Sequence, residues 1–102
     1  MQTRGRRTGP MSRETAEEIA AAALLFLAGD GPRIGRFLNE TGLDAASLRA
    51  RAGEPEVLAA VLGCLLGDES ALLAFAANAG LRPEDVARAE AMLGGGATWQ
   101  SP

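Results

Sequence analysis

The side chains able to do chemistry in this sequence are carboxylates, arginines and one thiol, because the chain contains no histidine and no tyrosine. Without imidazole the commonest general base and metal ligand is missing, and no Ser-His or Cys-His pair can be assembled. Cys64 lies in the run Val61-Leu62-Gly63-Cys64-Leu65-Leu66 with no base beside it. That setting predicts a buried, inert thiol rather than a nucleophile. A single cysteine also offers neither an intrachain disulfide nor a thiolate metal cluster. Acid pairs occur at Glu17-Glu18, Asp68-Glu69 and Glu84-Asp85. Each falls at the amino end of an expected helix, where negative charge offsets the helix dipole, so capping is the expected role. Gly29-Asp30-Gly31 and Gly94-Gly95-Gly96 lack the lysine, the preceding strand and the following helix that a phosphate loop requires. The expectation is therefore no catalytic residue, no cofactor-binding residue, no metal ligand and no enzymatic activity.

A nucleic-acid reading has more to work with. Phe37-Leu38 followed by Gly42-Leu43 and Leu48, and Phe75-Ala76 followed by Gly80-Leu81 and Val86, share the glycine turn and flanking apolar positions of a helix-turn-helix. The helix after Gly80, however, carries Glu84, Asp85 and Glu90 against Arg88, the wrong sign to face phosphates. The helix after Gly42 has Arg49 and Arg51, but Leu38 stands where a tight helix crossing wants a small residue. The net charge of -3 includes Arg4, Arg6 and Arg7, so residues 11–102 alone carry -6. Nucleic acid is thus not the expected partner, and arginines on a tail would supply only salt-sensitive, nonspecific attraction.

The elements that must position these residues are legible from punctuation. Hydrophobic residues make up 47% and aromatics 4%, so a core has to be built from Leu and Ala, the apolar residues that favour helix over strand. Ser12 or Thr15 starts a first helix, Thr15-Ala16-Glu17-Glu18 having capping-box spacing, and Gly29 stops it. Asp30 and Pro32 open a second that runs to Thr41 before Gly42. Asp44 caps a third at 45–52; Pro55 opens a fourth that ends at Leu66 before Gly67. Asp68 caps a fifth at 69–79, closed by Gly80, and Pro83 opens a sixth to about residue 93.

Laying residues 15–52 on 53–90 without gaps gives ten identities, among them Gly29 with Gly67, Asp30 with Asp68, Phe37 with Phe75, and Gly42-Leu43 with Gly80-Leu81. Beyond those within the first helices, the matches fall on the helix stops and the residue after them, the cap and the single Phe of each second helix. We read this as a duplicated three-helix unit. The first helix of each unit is apolar on more than one face: Ile19, Ala22, Ala23, Phe26 and Leu27 in one stripe with Ala20, Leu24 and Leu25 beside it, and Val57, Leu58, Val61, Leu62, Leu65 and Leu66 in the other. Such helices belong inside. The expected fold is all-α, a compact six-helix bundle of two pseudo-symmetric three-helix units, with the second and third helices of each unit wrapped outside. Residues 12–93 form the single domain, between an Arg-rich disordered tail at 1–11 and a flexible Gly-rich tail at 94–102.

Residues 12–94 also resemble a family of short alphaproteobacterial proteins known only as domain of unknown function 3572. The resemblance is carried by Ser12-Arg13-Glu14, Phe26-Leu27-Ala28, Arg36-Phe37-Leu38, Gly42-Leu43, Leu48-Arg49, Val61-Leu62, Asp68-Glu69-Ser70, Leu73-Ala74-Phe75 and Gly80-Leu81. It implies a bacterial cytoplasmic protein and supplies no activity, cofactor or catalytic residue.

The longest apolar run, Ile19 to Ala28, is about half what a bilayer needs. Glu14, Glu17 and Glu18 precede it and no small-x-small cleavage site follows, which argues against a secretory signal. The functional expectation is a non-enzymatic interaction or regulatory module in the cytoplasm, acting on a protein partner or on itself and not on a membrane. The alternatives are a helix-turn-helix nucleic-acid binder and a helical bundle with an apolar small-molecule pocket.

Overall fold

The computed structural model describes residues 11–94, which form six helices: α1 (Arg13–Ala28), α2 (Gly31–Thr41), α3 (Ala45–Arg51), α4 (Pro55–Leu66), α5 (Glu69–Ala79) and α6 (Pro83–Gly94). The expected disorder of residues 1–10 and 95–102 lies outside the described residues. Met11, placed with the first tail by the sequence, packs against the core, and Gly94, placed with the second, is the last residue of α6.

The caps follow side-chain chemistry. Ser12 starts α1, its Oγ accepting the Thr15 N–H at 3.0 Å. Thr15-Glu18 is therefore inside the helix, and Glu17-Glu18 lies one turn later than the sequence placed it, leaving Glu14 in the first turn. Asp30, Asp44 and Asp68 each accept the amide three residues on, from Arg33, Ser47 and Ala71. Gly42 and Gly80 take φ of 78° and 71°, the left-handed region where a side chain is strained. Their bonding differs: Gly42 donates once, to Leu38, whereas Gly80 and Leu81 donate to Ala77 and Ala76, the two-bond Schellman arrangement.

The duplication is visible in packing as well as punctuation. α1 and α4 are neighbours, α2 lies on α1 and α4, and α5 lies on α4 and α1. Phe37 and Phe75 are both buried, at 1% and 2% exposure, in equivalent positions of α2 and α5. The third helices part company. α6 packs along both α1 and α4 and buries Val86, Ala89 and Leu93 completely or nearly so, whereas α3 buries only Leu48. The centre is thus α1, α4 and α6, where the sequence expected α6 outside. The reason is compositional: where α6 has Val86, Ala89 and Leu93, the equivalent residues around α3 are Leu48, Arg51 and Pro55. A guanidinium at the Ala89 position cannot enter a core without a buried counter-charge.

α1 differs from expectation in one respect. Its buried stripe is Ala16, Ile19, Ala20, Ala23 and Leu27, while Ala22 is exposed and Leu25 points to solvent. From Ile19 to Ala28 the helix is apolar on more than one face, yet this fold covers only one side of it.

Candidate interaction surface

The residues singled out for chemistry are dispersed by the fold, and several of them have structural roles. Cys64 is half-buried on α4, and burial pushes its thiol above the ordinary range, with Glu40 adding to the shift. That is opposite to the change an activated thiolate needs. The Asp68 carboxylate caps α5, and Asp85 reaches back to accept the Arg82 N–H at 3.0 Å at the start of α6. Glu17 pairs with Arg13 on its own helix. Among the described residues no three acid or cysteine side chains gather as a metal site would require.

The two helix-turn-helix segments are α2–α3 and α5–α6. In the second, α6 is inserted in the core by Val86, Ala89 and Leu93, and its outer side carries Glu84 and Arg88. In the first, Arg51 is paired with Glu54 at 2.9 Å and approaches Glu56, leaving Arg49 and Arg36 as the exposed cations. A shallow open depression is lined by Gly35, Leu38, Asn39, Gly42 and Leu43.

The densest polar cluster is one the sequence did not announce. Arg33 donates to Asp30 Oδ2 at 2.7 Å and, through Nε, to Asp68 Oδ2 at 3.3 Å; Arg36 stands 3.8 Å from the same Asp68 oxygen. Each aspartate keeps Oδ1 for its helix cap. The Arg33 hydrogen bond holds the Asp30 carboxyl below its usual range, and the Ala71 amide followed by Arg33 does so for Asp68. The available signal was the repeat itself, since a near-symmetric pair of caps brought close together needs a cation between them, and Arg33 follows one cap by three residues.

What remains unsatisfied is apolar. Leu25 is 75% and Leu73 50% exposed, with Ala21, Ala22 and Ala28 exposed around Leu25 on the outer face of α1. In the duplicated alignment Leu25 corresponds to Gly63 and Leu73 to Gly35. At both glycines an added Cβ would meet nothing within 4 Å. The same three-helix unit therefore folds with a bare backbone at each of these places, so neither leucine is there to fill a core. No described helix is by itself long and apolar enough to cross a membrane.

A family model described as a protein of unknown function, DUF3572, matches residues 13–96. No curated protein and no solved structure matches the chain.

Proposed function

The chain belongs to the DUF3572 family, whose description carries no activity, and from its own surface we propose that it is a non-enzymatic interaction or regulatory module whose working face is the outer side of α1. The observation that carries this reading is Leu25, a large apolar side chain left three-quarters in solvent at a position where the other half of the molecule has glycine. Burying a leucine is worth roughly 1.5 to 3 kcal/mol, and Ala21, Ala22 and Ala28 around it let another helix approach closely. The partner is a protein, or a second copy, presenting a complementary apolar ridge in the cytoplasm. A nucleic-acid partner is disfavoured because Arg33 and Arg51 are committed to carboxylates within the fold.

The test compares the wild-type chain with Leu25→Glu as bait in extract from the native cell. The substitution is on the surface and should leave stability within about 0.5 kcal/mol. A protein retained by wild type and lost from the variant is the expected result. Equal recovery of every bound protein by both would count against the α1 face.

A further inference from the structure

We propose that α2 and α3 form a hinged flap on a self-sufficient body of α1, α4, α5 and α6, latched by the two arginines of α2 on the Asp68 carboxylate. Four observations converge on this.

The flap is lightly held. Its buried side chains are Phe37 and Leu48, with Ile34, Leu38 and Leu43 partly buried beside them, whereas the paired segment α5–α6 buries Ala71, Phe75, Ala76, Val86, Ala89 and Leu93. Local opening favours segments that bury few apolar side chains, and this segment buries the fewest of any helix pair in the fold. The groove along α1 and α4 is filled by α6 rather than by the flap's α3.

The polar ties between flap and body are concentrated at the two ends of the flap. At one end Arg33 and Arg36 converge on Asp68 at 3.3 and 3.8 Å. At the other, Arg51 meets Glu54 at 2.9 Å and Glu56 at 3.9 Å at the start of α4. Both joints carry the residues that absorb backbone rotation: Gly29 and Gly31 flank Asp30 on one side, and Gly53 stands between α3 and α4 on the other. The body half has no such latch, since the residue equivalent to Arg33 is Ala71 and the one equivalent to Arg36 is Ala74.

Opening the flap lifts Phe37 out of its seat on α1 and α4 and exposes the apolar surface beneath it. This is a conformational device by which salt, or an anionic partner competing for Arg33 and Arg36, would convert a closed surface into an apolar one.

Amide hydrogen exchange on the full chain tests the proposal, with Asp68→Asn as the variant because asparagine caps a helix about as well as aspartate while removing the charge. In wild type, amides of 31–51 should exchange faster than those of α4 and α6. In the variant they should exchange about two- to fivefold faster again, the fold-change expected for losing a partly exposed ion pair, with α6 unchanged. High salt should reproduce the effect in wild type. Equal protection of 31–51 and α6 in wild type would overturn the flap. Acceleration spread evenly over all helices in the variant, or none anywhere, would overturn the latch.

Discussion

Phe37 and Phe75 occupy equivalent seats, but their surroundings differ in a way that can be measured. Phe75 has a ring partner, Phe26, at 5.6 Å between centroids in a tilted arrangement, whereas Phe37 is buried without an aromatic pair among the described residues. Replacing either by alanine should cost about 3 to 5 kcal/mol in chemical denaturation, from lost transfer and the cavity left behind. The Phe75 variant should be the worse of the two, by the ~0.5 to 1.5 kcal/mol an aromatic pair adds. The aspartates make a second prediction. Asp30, Asp44, Asp68 and Asp85 all have pKa values held below the ordinary carboxylate range: Asp30 chiefly by Arg33, the others chiefly by backbone amides. A depressed folded-state pKa contributes stability that is present above the unfolded value, near 3.9, and is lost as pH falls through the folded value. The unfolding midpoint should therefore be level between about pH 5 and 8, where a chain without histidine has little to titrate, and fall below about pH 4. Added salt should weaken the part that depends on Arg33 and leave the Asp44 cap nearly untouched.

The contrast between α3 and α6 decides how the elements assemble. Because Ala89 is completely buried between α1 and α4 and its counterpart is Arg51, an Ala89→Arg substitution should expel α6. An uncompensated buried charge costs about 3 to 5 kcal/mol, a large fraction of the roughly 5 to 15 kcal/mol typical of a domain, so the chemical-denaturation midpoint should fall sharply. Arg51→Ala should by contrast change the midpoint only slightly. Gly42→Ala isolates the turn, since nothing lies near its Cβ and the cost is the roughly 1 to 2 kcal/mol of left-handed backbone alone. Helix limits were legible from the sequence because Ser12, Asp30, Asp44, Asp68, Gly42 and Gly80 act locally, through their own backbone neighbours. The place of α6 was legible only in part. Its apolar stripe was visible, but which helix fills a shared groove is settled by comparing Arg51 with Ala89 across the repeat, and the identities alone do not ask that question. The Arg33 cluster was hidden for a related reason: 35 residues separate Arg33 from Asp68, and only the fold makes them neighbours.

At the scale of the molecule, the two halves share a plan and have diverged both in their third helices and where they meet solvent. Core pairs such as Leu27 with Leu65, Phe37 with Phe75 and Leu48 with Val86 remain apolar, whereas Arg51 stands for the buried Ala89, and Leu25 faces Gly63 and Leu73 faces Gly35 in the alignment, so neither the third helices nor the outer surfaces are interchangeable. An exposed leucine at a place where the other half has glycine is the feature on which the proposed role in association rests. The most direct test places a photoreactive amino acid at position 25 in the living cell, with position 87 on the exposed side of α6 as the control. A discrete cross-linked product is expected from position 25, either to one protein or to a second copy, and none from position 87. The same pattern from both positions, or no product from position 25, would contradict it.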